Sequence, residues 1–364
     1  MFRHITLLAA ILLSLNAIKT VRAAEHEKKL IEFGWDEPDT AFMLKHIDQM
    51  ERTPFDGCVF HARTVALDGK PGNFLWECWG KRAFDQRELE PAIEDLKATP
   101  FKHFSENFLR FNVVPGDVDW FDDFGPILNN AKLAAKVAHD GKCRGVLFDI
   151  EQYNHLLFSY RKQRDASTKS WDDYAKQARL RGRETMAAFQ QGYPGLTVFL
   201  TFGFSLPYRQ TKGDPSKLTD ASYGLLAPFL DGMLDAAEGD SKIVDGFESS
   251  YGYKDISRFD PAREMMKRGV LNLVSDREKY AKVFSAGFGV WIDNDWRKAG
   301  WNTEDVSKNF YTPQAFEQTV RKALQTSDQY VWIYTEQPKW WSEEGKPVKL
   351  PPEYESALRR AAGR

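Results

Sequence analysis

The sequence predicts an α/β protein folded as a single (β/α)8 barrel with loop insertions at its C-terminal face. Eight short β-rich segments alternate with longer amphipathic segments, a pattern typical of parallel strands joined by crossover helices. No Gly-x-Gly-x-x-Gly turn follows the first segment, where an open nucleotide-binding sheet would carry it. Neither an internal repeat nor a Pro-rich linker divides the chain. We therefore expect one barrel domain over residues 24–364.

Runs of β-branched and aromatic residues define the predicted strands. Each run is short and is followed by polar or glycine-containing residues, as expected of a strand that ends at a loop. In chain order, strands one to eight are predicted at residues 30–35, 57–61, 107–113, 145–151, 196–202, 243–248, 283–291 and 330–335.

Local start and stop signals support the predicted helices between these strands. Asp39 precedes the first helix as an N-cap, and Pro261 and Pro313 stand at first helical positions. Gly141 and Gly192 follow amphipathic segments where a helix is expected to end. The helices are predicted at residues 40–51, 86–98, 126–139, 171–191, 223–238, 261–270 and 313–326.

The N-terminus has the pattern of a secretory signal peptide. A basic start is followed by an apolar run over residues 5–18 and by small residues near Ala23. We therefore expect residues 1–23 to be a signal peptide, with an uncleaved anchor helix as the alternative. Removal of Arg3, Lys19 and Arg22 takes the formal charge from −2 to −5. The mature protein is expected to be secreted or periplasmic, without stable membrane insertion.

The composition excludes several classes of protein. Hydrophobic residues form 42% of the chain and aromatic residues 14%, which is far too much core-forming material for a disordered protein. The charge is close to zero and no block of like charge occurs, so nucleic acid is not expected as a partner. The aromatic excess, with 11 Trp, 13 Tyr and 26 Phe, is the feature that a function must explain.

The sequence predicts neither a metal site nor a cofactor. The 7 His form no pair with zinc-ligand spacing, and no Gly-x-Ser-x-Gly nucleophile motif occurs. Of the three cysteines, Cys58 and Cys78 lie in one early stretch, Cys78 within the largest expected insertion, residues 64–84. Either these two form a disulfide, which leaves Cys143 as a free thiol, or they are two buried free thiols.

The residues that close the predicted strands are candidates for function, because barrel active sites lie at the C-terminal strand ends. Carboxyl groups and aromatic rings are concentrated there. We expect Asp149, Glu151 and Glu248 to be catalytic. The expected substrate-binding residues are Trp35, Asp36, His61, Trp291, Asp293, Tyr334, Glu336 and Trp340.

The segment from Gly145 to Tyr153 carries the strongest local signal. Asp149 and Glu151 are two residues apart, so their side chains are expected on the same side of strand four. Because adjacent carboxylates repel, one of them is expected to have a raised pKa and to hold a proton near neutral pH. Paired carboxyl groups beside aromatic rings are typical of sites that cleave sugars.

This segment resembles the fourth strand of (β/α)8 glycoside hydrolases. Asp149 and Glu151 resemble the end of the chitinase-type Asp-x-x-Asp-x-Asp-x-Glu motif. This sequence departs from the motif at its first two aspartates, where it has Arg144 and Leu147. The resemblance implies that Glu151 is the general acid and that Asp149 assists an acetamido group of the substrate.

Two other arrangements are compared with this one. In barrels that cleave α-linked sugars with retention, the strand-four Asp is the nucleophile and a carboxylate near strand six is the acid and base, which would use Asp149 and Glu248. In the large retaining β-glycosidase clan, the nucleophile is a Glu on strand seven. Strand seven here offers Trp291 and Asp293 but no Glu.

The sequence therefore predicts a secreted glycoside hydrolase that acts on an oligosaccharide or polysaccharide. The acidic mature chain suits a neutral sugar better than a polyanion. A non-catalytic carbohydrate-binding barrel is the second hypothesis, and a metal-dependent hydrolase or lyase is the third.

Overall fold

The computed structural model describes residues 27–364, and these residues form a closed parallel barrel surrounded by helices. The predicted signal peptide lies outside the described residues. The eight strand positions are occupied, in chain order, by Lys29–Gly34, Gly57–Phe60, Phe108–Asn112, Gly145–Asp149, Thr197–Leu200, Lys242–Asp245, the pair Phe284–Ala286 and Phe288–Trp291, and Tyr330–Thr335. The predicted (β/α)8 barrel is confirmed.

Strand seven consists of two short pieces, and each piece pairs with a different neighbouring strand, which completes the ring of strands. Phe284–Ala286 pairs with strand six, whereas Phe288–Trp291 pairs with strand eight. Gly287 lies between them, and its N–H donates to the carbonyl of Asp245 at 2.8 Å. The prediction of one continuous strand over 283–291 is therefore wrong, and Val283 is the last residue of a helix.

Helices on the outside of the barrel occupy most of the predicted positions. The matching helices are Thr40–Met50, Glu90–Ala98, Gly125–Asp140, Trp171–Gly192, Leu226–Ala236, Phe259–Lys267 and Pro313–Thr326. Four further helices were not predicted, namely Ser205–Thr211, Arg277–Val283, Trp296–Ala299 and Pro352–Ala362. Short 3-10 turns lie at Phe74–Trp76, Gln86–Glu88, Tyr160–Lys162, Pro215–Asp220, Glu248–Ser250, Ile256–Arg258, Gly269–Asn272 and Val306–Lys308.

Side-chain caps fix two of the predicted helix starts. The carboxylate of Asp39 accepts from the N–H of Phe42 at 2.7 Å, and the hydroxyl of Thr312 accepts from the N–H of Ala315 at 3.3 Å. Each bond satisfies a backbone donor that has no partner within its helix. The first helix is thereby held just after strand one, beside the C-terminal face.

The strands separate two apolar layers. In strand one, Leu30 belongs to the outer layer beneath the helices and Ile31 to the barrel interior, as the alternation of side chains along a strand requires. The indole N–H of Trp332 donates to the carbonyl of Gly246 at 2.7 Å within the barrel. The interior is filled by Ile31, Phe33, Val59, Phe108, Leu147, Phe199, Val244, Tyr330 and Trp332.

The insertion after strand two consists of an exposed β-hairpin followed by a segment whose Trp79 side chain is buried in the core. Arg63–Val65 pairs antiparallel with Pro71–Asn73, and Trp76 beyond it is 50% exposed. Trp79 is fully buried and stacks on Phe148 with ring centroids 5.4 Å apart. The anchored insertion holds Trp76 close to the end of strand three.

The three cysteines are free thiols, and all are buried. The alternative of a Cys58–Cys78 disulfide is therefore not realised. Burial raises the pKa of the Cys143 thiol to about 12. Across residues 27–364, no helix has both the length and the apolar character needed to cross a bilayer.

Candidate active site

A cavity of about 710 Å³ opens at the C-terminal ends of the barrel strands. We call it the mouth cavity. Five predicted binding residues and all three predicted catalytic residues lie around it, which is the position expected for a barrel active site. These residues are Trp35, His61, Trp291, Tyr334, Glu336, Asp149, Glu151 and Glu248.

Arg110 connects two carboxylates at the floor of the mouth cavity. It stands in the middle of strand three and donates from Nη1 to Oε2 of Glu37 at 2.9 Å. Its Nη2 donates to Oδ2 of Asp149 at 2.6 Å. Only 14% of its side chain is exposed, so both ion pairs are largely shielded from water.

Asp149 lies beneath the cavity surface. Its residue is 0% exposed, and besides Arg110 it accepts from the hydroxyl of Tyr153 at 3.1 Å and from the N–H of Glu151 at 3.1 Å. These bonds occupy its carboxylate with protein donors. Asp149 is therefore placed to orient its neighbours, whereas Glu151 and Glu248 are partly accessible from the cavity.

Glu151 lies in the loop after strand four. The strand ends at Asp149 and not at residue 151 as predicted, yet both carboxylates accept hydrogen bonds from the hydroxyl of Tyr153. Burial, followed by the charge of Asp149, raises the pKa of Glu151 to about 7. Of these two carboxyl groups, Glu151 has the raised pKa and Asp149 forms the ion pair with Arg110.

Glu248 lies three residues beyond the observed end of strand six, in the turn Glu248–Ser250. Phe247 before it has φ of +44°, a left-handed conformation that costs energy for a side chain of this size. Burial first, and then the charges of Glu151 and Asp149, raise the pKa of Glu248 well above its usual value. A strained backbone thus presents a carboxyl group that favours its protonated form.

Asp245 supports the strained turn from below. Its carboxylate accepts from the N–H of Phe247 at 3.2 Å and from the hydroxyl of Ser205 at 2.9 Å. Phe247 itself is buried against Phe288, with ring centroids 5.9 Å apart. Packing and hydrogen bonds therefore fix the backbone from which Glu248 reaches the cavity.

A histidine and a glutamate lie close together on the strand-one side of the cavity. Nδ1 of His61 lies 3.4 Å from Oε1 of Glu37, the residue that also binds Arg110. Burial alone would raise the pKa of Glu37, but Arg110 and His61 together lower it below its usual value. The Glu37 carboxylate thus lies between His61, which follows strand two, and Arg110 of strand three.

Aromatic rings form the remaining wall. Tyr251 and Tyr334 stack with centroids 5.2 Å apart, and Trp291 contacts Tyr251 edge-on at 5.7 Å. Trp35 stands at the rim with 60% of its surface exposed and meets Trp296 edge-on at 6.1 Å. Such exposed flat faces are suited to stacking on the apolar face of a ring-shaped ligand.

Glu336 lies at the same rim, next to Trp296. It accepts from the indole N–H of Trp296 at 2.7 Å and from Nη2 of Arg297 at 2.9 Å. The hydroxyl of Tyr334 donates to it at 3.3 Å. This carboxylate therefore holds the short helix Trp296–Ala299 against strand eight.

Three residues predicted to bind substrate do not line the mouth cavity. The carboxylate of Asp36 accepts from the backbone N–H of Trp340, and Asp293 accepts from the indole N–H of Trp291 at 2.8 Å. Trp340 is buried against Phe55, with ring centroids 4.8 Å apart. Asp36, Asp293 and Trp340 therefore support the loops around the cavity and do not face it.

Other residues of the cavity were not predicted from the sequence. Arg110 is a single charge in the apolar strand Phe108–Asn112, and its spacing of two from the inward Phe108 is a signal that could have identified it. Tyr153 follows Glu151 by the same spacing. Among the charged and aromatic cavity residues that were not predicted are Glu37, Trp76, Arg110, Tyr153 and Arg297.

No cluster of three or more His, Cys, Asp or Glu side chains within residues 27–364 is arranged to hold a metal ion.

Several solved structures are similar to the chain. One is a GH5_18 protein from Streptomyces cattleya in complex with GlcNAc, at 10% identity and a TM-score of 0.49, over 93% of this chain and 80% of that one. Another is a cellotetraose complex of the endocellulase from Pyrococcus horikoshii, at 12% identity and a TM-score of 0.44, over 92% of each chain. A third is a GH5-4 broad specificity endoglucanase from an uncultured bacterium, at 11% identity and a TM-score of 0.46, over 91% of this chain and 86% of that one.

No protein-family model matches the chain, and no curated protein matches its sequence.

Proposed function

We propose that the protein is a glycoside hydrolase that cleaves a glycosidic bond in an oligosaccharide or polysaccharide. The observation that carries this proposal is the pair Glu151 and Glu248, both with raised pKa values, in a barrel-mouth cavity with an aromatic wall. Two carboxyl groups that differ in their affinity for the proton are what hydrolysis of a glycosidic bond requires.

The two glutamates titrate as a pair because their carboxyl groups interact. Near neutral pH, one member holds a proton while the other is ionised. We assign the ionised role to Glu151, whose pKa is about 7 and whose carboxylate accepts from the Tyr153 hydroxyl. Glu248 holds its proton more tightly and is the general acid. This order reverses the role that the chitinase-type resemblance implies for Glu151.

The proposed reaction follows from these protonation states. Glu248 donates its proton to the glycosidic oxygen while the bond from the anomeric carbon to that oxygen breaks. The Glu151 carboxylate acts as nucleophile at the anomeric carbon or as the base that activates water. Asp149, held by Arg110, orients Tyr153 and the main chain of Glu151.

Trp35 and Trp76 extend the proposed sugar site to the rim. Both line the cavity and have half or more of their surface exposed. Their rings offer stacking faces for sugar rings at the rim of the cavity. Binding of a chain longer than one sugar is therefore part of the proposal.

We also propose that the mature protein acts outside the cytoplasm, secreted or periplasmic. The signal-peptide pattern of residues 1–23 supports this location. N-terminal sequencing of protein recovered from the culture medium and the periplasm of an expressing cell tests it. A mature start near Ala24 is expected, and full-length protein retained in the cytoplasm contradicts it.

A screen of the purified mature chain on a broad set of plant, fungal, bacterial and animal glycans tests the hydrolase proposal. New reducing ends and chromatographically resolved products are the expected result on at least one glycan. Binding to a glycan without any product would instead identify a carbohydrate-binding barrel. Activity that disappears with chelator and returns with added divalent metal would identify a metal-dependent enzyme.

A further inference from the structure

A second cavity of about 720 Å³ lies directly beside the mouth cavity. It runs between the helix Thr40–Met50 and the segment 337–349, and we call it the lysine groove. Trp35, Glu37 and His61 line both cavities. A chain-like ligand bound at the mouth can therefore continue past Trp35 into the groove without leaving the surface.

Most acidic side chains of the lysine groove are already neutralised. Asp39 accepts from Arg63 at 2.5 Å, and Glu343 pairs with Lys346. Glu37 is bound by Arg110 from the side of the mouth cavity. The fourth acidic residue, Asp36, accepts from the hydroxyl of Thr335 and the N–H of Trp340, and its charge acts on Lys339.

Three lysines of the groove have no such partner. Lys45 and Lys349 are exposed, and within residues 27–364 neither has a carboxylate within 4.0 Å. The half-buried Lys339 donates to the carbonyl of Glu336 at 2.9 Å, and its Nζ lies 5.9 Å from the centre of the Trp35 ring. Over its whole lining the groove carries five Lys and Arg side chains against four carboxylates, a small positive balance in which Lys45 and Lys349 are exposed to a ligand.

The mouth cavity has the opposite balance. Five carboxyl groups line it against two guanidinium groups. With Glu248 protonated, as proposed, four carboxylates face two cations, and this negative balance disfavours an anionic sugar there and suits a neutral one. The carboxyl groups belong to Glu37, Asp149, Glu151, Glu248 and Glu336, and the guanidinium groups to Arg110 and Arg297.

From this contrast we propose that the lysine groove binds an acidic sugar unit of the same glycan whose neutral unit occupies the mouth. The carboxylate or sulfate of that unit is met by Lys45, Lys339 and Lys349. Its ring rests on the side of the groove formed by Phe42 and His46, which stack with centroids 4.4 Å apart. This inference rests on the proposed function and adds the substrate class, a mixed glycan of neutral and acidic units.

Binding of D-glucuronate and D-glucose to the mature protein tests the inference, because the two sugars differ at one carboxyl group. Ligand-observed NMR titration at low salt is expected to give at least fivefold tighter binding of glucuronate. The double variant Lys45→Gln and Lys349→Gln is expected to bring the two affinities within twofold. Lys132→Gln is the matched control, since Lys132 is exposed on the helix Gly125–Asp140 and lines neither cavity.

A crystal soaked with glucuronate locates the site, and density between Lys45 and Trp35 supports the inference. Equal affinity for both sugars, a preference that survives the double substitution, or density only at the mouth would each overturn it. Sulfated galactose, tested beside galactose, distinguishes a sulfate from a carboxylate requirement. These readouts need no bond cleavage, so failure of the hydrolase proposal would leave them intact and would appear in the glycan screen instead.

Discussion

Nη2 of Arg110 lies 2.6 Å from Oδ2 of Asp149, and this ion pair joins strands three and four at the floor of the mouth cavity. Through Asp149 the guanidinium group acts on Tyr153 and Glu151, and through Nη1 it holds Glu37. One buried cation therefore fixes the surroundings of Glu151, one of the two carboxyl groups that we propose to be catalytic.

Substitution of Arg110 by Met is expected to destabilise the protein by about 3–5 kcal/mol, since it leaves two buried carboxylates without their cation. Turnover is expected to fall about 100-fold or more because Tyr153 and Glu151 lose their fixed positions. Denaturant unfolding and steady-state kinetics measure the two effects. Arg268→Met is the control, because Arg268 forms an exposed pair with Glu264 and its loss should cost less than about 1 kcal/mol. Unchanged stability in Arg110→Met would contradict this account of the floor.

The activity is expected to depend on pH through the Glu151 and Glu248 pair. As the pH rises through about 7, Glu151 loses its proton and kcat/KM rises. At higher pH Glu248 loses its proton, whose pKa is raised well above the usual value, and kcat/KM falls again. In Asp149→Asn, the rise of kcat/KM on the acidic side of the pH profile is expected at lower pH, because the substitution removes a negative charge that raises the pKa of Glu151. If kcat/KM of the unaltered protein instead rises near pH 4, the assignment of the ionised role to Glu151 is contradicted.

The free energy of unfolding is expected to show the cost of ionising the Glu151 carboxyl group in the folded protein. The pKa of Glu151 is raised from 4.5 to about 7 by folding, so its contribution to stability is full below pH 4.5 and is lost as pH rises through about 7. Glu151→Gln should therefore be more stable than the unaltered protein at pH 8, by up to about 3 kcal/mol, and equally stable near pH 4. Thermal unfolding across pH measures this. Glu94→Gln, at an exposed helix position, should show no such pH-dependent gain.

The exposed Trp35, after strand one, and the buried Trp341, after strand eight, are expected to differ in the effect of substitution by alanine. Trp35→Ala should raise KM about tenfold with little change in stability, because its ring is 60% exposed and its stacking face is open. Trp341→Ala should instead cost about 3–5 kcal/mol of stability, since that residue is 1% exposed in the core. Kinetics and thermal unfolding of both variants check the pair. A large stability loss in Trp35→Ala would contradict its place at the rim.

Much of the barrel was predictable because local signals are strong there. Strand eight was placed at residues 330–335 and is Tyr330–Thr335, since aromatic and β-branched residues fill it without interruption. The prediction of strand seven was wrong because Gly287 divides the strand into two pieces. These pieces pair with two different neighbours, and that pairing completes the ring of strands. Pairing between distant strands leaves no trace in the local sequence.

The site was less predictable than the fold. Position at a strand end correctly brought Glu151 and Glu248 to the cavity, but it could not distinguish Trp35 from Trp340, which differ only in whether their ring meets solvent or Phe55. The spacing of Arg110 from the inward Phe108 could have identified it as a cavity residue, but its role depends on Glu37 and Asp149, which the local sequence does not reveal as its partners. Likewise, the distance of Glu248 from strand six depends on the left-handed Phe247, which sequence patterns do not reveal.

The central claim is that Glu151 and Glu248 together cleave a glycosidic bond, and parallel turnover measurements on the best glycan from the screen test it most directly. Glu151→Gln and Glu248→Gln should each lower kcat at least 1,000-fold or roughly 4 kcal/mol in barrier, while Glu94→Gln keeps the activity of the unaltered protein. Full activity in either site variant, with the protein folded as judged by circular dichroism, would contradict the claim.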